Sequence, residues 1–371
     1  MDSKKKILMI SPKDNNFYNF RSELILELLR LGFEVVLVCP YGSKIDYFVN
    51  KGCKFINLEI DRRGTSVVND AKLIFAYRKL IKHEHPALVL TYTTKCSVYG
   101  GMVCRLFKIP YIVNNAGLIE SDNPNSLLQK VLKHLYKSGF KGAACMMYQN
   151  HRERDYINGL LNGRVHYRDI PGSGVNLEQF QYCPYPQSDE TIVFNFVARI
   201  VQMKGIDEFL ECAERIKSKY PHTRFVIYGD YDEDDYRIKV QDYVDKGIVE
   251  YAGVKLDMKP FISACHAVIH PSHYEGMTNV VLEHSSMGRP CIGSNIPGVR
   301  EGIEDGVTGY LFGVKDIDSM VNAVERFINL SHIQKVRMGI AARNKMERQF
   351  NREIVTDIYL DEIYRIIGEI K

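Results

Sequence analysis

Two glutamates eight residues apart, Glu275 and Glu283, stand in the segment SHYEGMTNVVLEHSSMGRPCIGS. The apolar run Ala267-Val268-Ile269 precedes them, the chain turns at His270-Pro271-Ser272, and a helical pattern carrying Val280, Val281, Leu282 and Met287 follows. Eight residues is a little over two helical turns, so the spacing predicts two carboxylates near one azimuth. Gly276, Met277, Thr278 and Asn279 then form the predicted first turn, whose unpaired amides and positive dipole end favour an anion. A carboxylate, an anion site and a second carboxylate suit a sugar nucleotide: one carboxylate for hexose hydroxyls, the other for ribose hydroxyls, the diphosphate on the amides between. The same spacing also fits a helix-capping glutamate followed by a solvated one, so the surrounding residues must decide.

Cations for such a site occur one strand-loop earlier in the same half of the chain. After the strand Thr191–Val197 comes Ala198-Arg199-Ile200-Val201-Gln202-Met203-Lys204-Gly205, which puts Arg199 and Lys204 on a strand-to-helix loop. Arginine grips phosphate oxygens bidentately, and lysine adds a compact charge where a leaving diphosphate becomes negative. The runs RFVIYG and VEYAGV end at Gly229 and Val254. These ends are expected beside the nucleotide, with the Val254 backbone available to a base edge. Asp230-Tyr231-Asp232-Glu233-Asp234-Asp235 contains a D-x-D that invites Mg²⁺ or Mn²⁺. Following a strand that ends at Gly229, it also fits a solvated acidic loop.

The elements that position these residues alternate from end to end. Strand-like runs KILMIS, EVVLVCP, KFINLEI, ALVLTY, PYIVNN and ACMMYQ fill the first half, with helical patterns such as Arg21–Leu31 and Ala71–Lys82 between them. The polar, proline-bearing CPYPQSDE reads as an interdomain linker, after which the alternation restarts and continues through AVIHPS, PCIGS and GYLF. The tail Asn351–Lys371 carries a helical apolar stripe. This pattern predicts an α/β chain of two doubly wound parallel-sheet domains, 1–183 and 184–351, with ligands in the cleft where strand ends face each other.

VARIVQMKGIDEFL, FVIYG, YAGV and HPSHYEGMTNVVLEHSSMGRPCIGSNIPGVREGIEDGVTGYLF, in that order, resemble retaining glycosyltransferases of family 4 with the GT-B fold. The resemblance implies Arg199 and Lys204 on the donor diphosphate, Glu275 on the transferred sugar, Glu283 on the ribose, and backbone contacts from Gly276 to Asn279. Ala198 stands where glycine is usual and Thr278 where proline is common; neither change removes a functional group. FYNFRSELILELLRLGFEVVLVCP, LTYTTKCSVYGGMVCRLFKIPYIVNNAGL and IPGSGVNLEQF are similar to a narrower subgroup. That subgroup extends undecaprenyl-diphosphate-linked oligosaccharides in capsule, O-antigen and N-glycan assembly, and includes N-acetylgalactosaminyltransferases. The similarity implies a UDP-sugar donor, no cofactor or metal, and residues 352–371 returning to the first domain.

The first loop, around Asn15 to Arg21, lacks G-x-G-x-x-G, which weakens a dinucleotide reading; Asn16, Tyr18 and Arg21 suit an acceptor sugar or its phosphate. Lys95, after Thr93-Thr94, is a candidate for the acceptor diphosphate, and Asn115 lies where many wider-family members carry a His-Gly pair. Residues 1–183 hold 26 Lys and Arg against 16 Asp and Glu, whereas the remainder holds 23 against 29. A basic first half calls for an anionic partner, a phosphate-bearing substrate or acidic lipid surface, and no nucleic-acid module is visible. NSLLQKVLKHLYKSGFK is a basic amphipathic pattern suited to a membrane interface or to ordinary core packing.

The nine cysteines are odd in number, scattered, and free of C-x-x-C, as expected of reduced core thiols. No signal peptide or membrane-spanning stretch is read, so a cytoplasmic enzyme, peripheral on the inner face of the cell membrane, is expected. A UDP-sugar 2-epimerase of the same architecture, a GDP-sugar-dependent transferase and a non-catalytic membrane scaffold are the alternatives.

Overall fold

The computed structural model describes residues 5–61, 66–114, 126–187 and 190–368. It divides into two compact units, Met1–Ser173 with Glu353–Lys371, and Gly174–Arg352.

The first unit is built on seven parallel strands: β1 (Lys6–Ile10), β2 (Glu34–Cys39), β3 (Lys54–Asn57), β4 (Leu88–Tyr92), β5 (Tyr111–Asn114), β6 (Cys145–Tyr148) and β7 (Tyr167–Asp169). Their order is β3-β2-β1-β4-β5-β6-β7. The central strands are nearly unbroken apolar runs because both faces of a parallel sheet are covered. Alternate residues serve the two faces. Leu8, Ile10, Val36, Val38 and Val89 pack under helices bearing Leu73, Tyr77, Val103 and Phe140. Ile7, Met9, Val35 and Leu37 pack instead against Leu24, Ile25 and Leu28 and against Val355, Tyr359 and Ile363 of the C-terminal helix Arg352–Ile367. β7 has no counterpart among the strands expected from sequence; it is three residues long and partly exposed, too short to show a period.

The second unit repeats the design with β8 (Ile192–Val197), β9 (Thr223–Tyr228), β10 (Glu250–Tyr251), β11 (Ala267–His270), β12 (Cys291–Ser294) and β13 (Gly309–Phe312), in the order β10-β9-β8-β11-β12-β13. β8 pairs with β9 on one side and β11 on the other, all parallel. Strand order therefore reverses at β8, and the carboxyl edge between β8 and β11 is the switch point at which open α/β sheets form a ligand crevice.

The division between the units falls at Ser173/Gly174, ten residues before the expected boundary at 183/184. The cause is Arg289, whose fully buried guanidinium donates to the carbonyls of Cys183 (3.1 Å), Pro184 (2.8 Å), Met287 (3.0 Å) and Ser263 (2.7 Å). Tyr185 adds a bond from its hydroxyl to His266 O at 3.0 Å. The proline-bearing segment is thus part of the second unit rather than a linker. Val175 pairs with Asn351 beside it, and any side chain at Gly174 would meet Arg352 Cα at 2.7 Å.

Arg289→Leu strips several buried carbonyls of their donor at once. Denaturant unfolding should show the second unit destabilised by at least about 3 kcal/mol, with the first unit's transition unchanged.

Candidate active site

The loops that leave β8 and β11 are stitched to each other before they present any side chain. After β8 the chain runs through a short 3₁₀ turn, Gln202–Lys204, closed by Gly205 at φ +73°. A Cβ on Gly205 would lie 2.1 Å from the Pro271 carbonyl oxygen, so only glycine allows the two loops to touch. His273 N donates to Met203 O at 3.0 Å, and His273 Nε2 lies 2.9 Å from Glu208 Oε1. Ser294 Oγ donates to Ser272 O at 2.6 Å, tying the second loop to β12.

This frame brings Lys204 Nζ to 2.5 Å from Glu275 Oε1, with His270 Nε2 3.1 Å from the same oxygen. The Glu275 side chain is 14% exposed. Burial alone would raise its pKa, but the His270 hydrogen bond and charge and the Lys204 charge outweigh that and hold it at about 2. Glu275 is therefore held as a carboxylate near neutrality and is ill suited to the role of general acid. Both bonds fall on Oε1, and among the described residues Oε2 makes none.

Glu283 differs. It lies within the helix Asn279–Ser286, deep in the protein matrix though partly accessible, and burial pushes its pKa up to about 7 against the opposing pull of Arg352. The helix starts later than the spacing predicted. Thr278 is its extended N-cap, and Gly276 and Met277 precede it, so Glu275 is not helical and shares no azimuth with Glu283. The amides of Asn279, Val280 and Val281 are the ones the helical ladder leaves over. Gly298, at φ +88°, backs the turn: its carbonyl accepts from Thr278 N at 2.9 Å, and a Cβ there would sit 2.6 Å from Gly276 O. Met277 packs its side chain beside Leu282 and Met287, leaving only its backbone for a ligand.

Arg199 does not stand free. Its Nη1 is ion-paired to Asp232 Oδ2 in the acidic loop, and Ile200 N donates to Asp230 O at 2.8 Å. The acidic loop read as solvated thus carries a partner for the arginine expected on phosphate. Gly229 abuts Ala198, whose carbonyl oxygen would lie 1.8 Å from an added Cβ, and Gly229 N donates to Gly253 O at 3.2 Å; exposed Val254 follows. His270, Asp232 and Gly298 were not singled out from sequence. The histidine looked like part of a turn although its partner Glu275 is five residues on, and nothing local signals that Asp232 meets Arg199 or that Gly298 meets Thr278.

In the first unit, Asn16 Nδ2 donates to Ser11 Oγ at 3.0 Å, and Tyr18 stacks edge-on with Tyr47 under the Lys44 ammonium. Arg21 is a correction. It is 4% exposed, its guanidinium lies 5.1 Å and 5.4 Å from the Tyr92 and Tyr359 ring centroids, and Nη1 donates to Phe20 O. It props the first loop from beneath and is not presented to a ligand. Lys95 Nζ pairs with Asp70 Oδ1 at 2.7 Å, just after Thr93, which takes the unusual φ of +72° at the end of β4. Asn115 lies outside the described residues.

Cys145, His166 and Glu362 are the one group among the described residues with metal-ligand atoms within 4.8 Å of one another. Glu362 is already bound by Arg365 (2.7 Å), Arg168 (3.0 Å) and His166 (3.1 Å), which makes the cluster an anchor for the C-terminal helix.

Comparison with known proteins agrees with this geometry. Residues 6–150 match the family described as glycosyl transferase 4-like, and residues 191–329 match glycosyl transferases group 1. Together these take in most of the chain, which belongs to this glycosyltransferase family and is a glycosyltransferase. An N,N'-diacetylbacillosaminyl-diphospho-undecaprenol alpha-1,3-N-acetylgalactosaminyltransferase of Campylobacter jejuni is 24% identical, over 98% of this chain and all of that one. A UDP-Gal:alpha-D-GlcNAc-diphosphoundecaprenol alpha-1,3-galactosyltransferase of Escherichia coli is 25% identical over 89% of this chain and 90% of its own. Among solved structures, sucrose-phosphate synthase from Thermosynechococcus elongatus superposes with a TM-score of 0.78 at 19% identity, covering 98% of both chains. Anabaena HepE in complex with UDP and glucose gives 0.76 at 15% identity, covering 97% of this chain and all of that one. The fold is GT-B, two Rossmann-like domains.

The raised pKa of Glu283 has a sign that equilibrium unfolding can read. The folded state holds this proton more tightly than the unfolded one, so stability falls as pH rises from about 4.5 through about 7. Glu283→Gln, neutral throughout, should gain up to about 3 kcal/mol over the parent at pH 8, with the gain shrinking toward zero by pH 4.5.

Proposed function

We propose that the protein transfers a hexose or N-acetylhexosamine from a UDP-sugar to a polyprenyl-diphosphate-linked saccharide, with retention of anomeric configuration, in surface polysaccharide or glycan assembly. The observation that carries the donor half is the convergence of Lys204, Glu275 and the start of the helix Asn279–Ser286 on the crevice between β8 and β11. The acceptors named in the activities of the Campylobacter and E. coli relatives support the acceptor class.

The chemistry needs negative charge to be stabilised as the bond from the anomeric carbon to the UDP oxygen breaks. In this reading the Lys204 ammonium, the amides at Asn279 and Val280, and Arg199 once released from Asp232 receive that charge. Gly205, Gly229 and Gly276 let backbone approach the donor, and Val254 lies where a base edge would reach. The acceptor hydroxyl attacks from the face the diphosphate is leaving, and its proton passes to a departing phosphate oxygen. Glu275 contacts the transferred sugar as an acceptor of hydroxyl bonds and a counter-charge to the oxocarbenium-like centre. With Oε1 held by two donors it is a weak nucleophile, and no covalent intermediate is required. Glu283, when ionised, accepts from the ribose hydroxyls. Positive charge from side chains and amides at the leaving group makes a metal-independent reaction the expectation. Asn16, Tyr18, Lys95 and Asn115 remain candidates for the acceptor.

We assign membrane contact to the helix Leu127–Phe140. Leu132, Leu135 and Tyr136 pack on the core, whereas Leu127, Leu128 and Val131 are 78%, 56% and 47% exposed beside Lys130. Among the described residues no helix is long and apolar enough to cross a membrane. An apolar, basic first turn and a half fits the interface of an anionic bilayer, where a lipid-linked acceptor would reside.

Mass spectrometry of a panel of UDP- and GDP-sugars with a synthetic polyprenyl-diphosphate sugar tests the reading. Transfer is expected with a UDP donor, unaffected by EDTA and reduced at least about 100-fold in Lys204→Ala and Glu275→Ala. Epimerised UDP-N-acetylglucosamine formed without acceptor would overturn it in favour of the epimerase. Replacing Leu127, Leu128 and Val131 by glutamine should abolish co-sedimentation with phosphatidylglycerol vesicles while leaving turnover of a detergent-dispersed acceptor intact; unchanged sedimentation would remove the helix from the account.

A further inference from the structure

We propose that His270 is a positioning residue of the transfer reaction: its Nε2–H holds Glu275 Oε1 so that Oε2 is left for the sugar being transferred. The inference rests on the reading of Glu275 as the sugar-contacting carboxylate.

His270 is the last residue of β11, in register with Gly293 of β12, and its side chain is 4% exposed. It is therefore part of the sheet, whereas the other group bound to Glu275 Oε1, Lys204, reaches it on a flexible four-carbon stem from the end of a 3₁₀ turn. The two donors face different demands. When a diphosphate enters the crevice, the Lys204 ammonium is drawn toward it, and its hold on Glu275 weakens. An imidazole fixed in the core has no such competing partner and keeps the carboxylate in place. Because both bonds fall on one oxygen, the second is free to accept from a hydroxyl, and the two roles do not collide.

An ionised carboxylate only accepts, so in this contact Nε2 is the donor. His284, on the helix behind, is held neutral by burial, its pKa lowered to about 3, and adds no rival positive charge. A buried histidine donating to an ionised carboxylate is a charge-assisted bond, stronger than a neutral one.

The test compares His270→Gln, whose amide can still donate near the Nε2 position, with His270→Leu, which fills the space without a donor. His270→Met serves as the apolar variant if the leucine protein does not fold, and Glu275→Gln is run beside them. Two quantities are read: steady-state kcat and KM for the UDP-sugar, and the Kd of UDP, which lacks the sugar. The apolar variant should lose about 10- to 100-fold in kcat/KM with UDP affinity within about twofold of the parent, and the glutamine variant should recover most of the loss. Equal behaviour of the glutamine and apolar variants, or parallel loss of UDP affinity, would overturn the proposal in favour of a packing role. Unchanged turnover in Glu275→Gln would instead bring down the reading of the glutamate, and this inference with it.

Discussion

A carboxylate almost removed from water keeps its charge here only because two donors converge on one of its oxygens. Desolvation opposes the ionised form of Glu275, and His270 and Lys204 together reverse that balance. The arrangement of the second unit follows from this requirement. Lys204 belongs to the loop after β8 and His270 to the end of β11, so the carboxylate is satisfied only if those two strand ends are neighbours. The strand order β10-β9-β8-β11-β12-β13 makes them so. The glycines at 205 and 298 then let the loops close to contact distances that any side chain would prevent.

The two glutamates are chemically unlike despite their shared residue type. Glu275 is pinned, ionised and surrounded by donors. Glu283 has burial without an adequate counter-charge and sits near its titration point around neutrality. A ligand hydroxyl that donates to Glu283 restores part of the solvation lost on folding, so the same feature that weakens the fold above pH 7 favours a polyol. Stability and the binding of a hydroxyl would then make opposite demands on this side chain.

Much of the fold could be read directly from sequence, because a parallel strand buried on both faces must be an apolar run such as EVVLVC or IVFNFV, and such runs have few competing explanations. The site was legible as a set of residues and less so as geometry. The eight-residue spacing was read as two helical turns, yet the helix begins only after Thr278, and a cap position cannot be fixed from periodicity when the side chain makes no capping bond. Arg21 looked like an acceptor cation; it lies between Tyr92 and Tyr359, residues 71 and 338 positions further along the chain, and such long-range sandwiches leave no local trace. The proline-bearing segment looked like a linker until Arg289, itself unremarked in the sequence, proved to hold its carbonyls. The pairing of Arg199 with Asp232 was hidden for the same reason: charge is visible in sequence, but its partner is set by the topology that joins β8 to β9.

We propose the crevice between β8 and β11 as the donor site. A crystal structure of the protein bound to UDP and a non-transferable sugar-nucleotide analogue tests it most directly. Diphosphate oxygens are expected at about 3 Å from Lys204 Nζ and the Asn279 amide, with ribose hydroxyls on Glu283, the sugar against Glu275 Oε2, and Arg199 withdrawn from Asp232. A nucleotide bound elsewhere, or one bound here with Lys204 and the helix amides untouched, would contradict it.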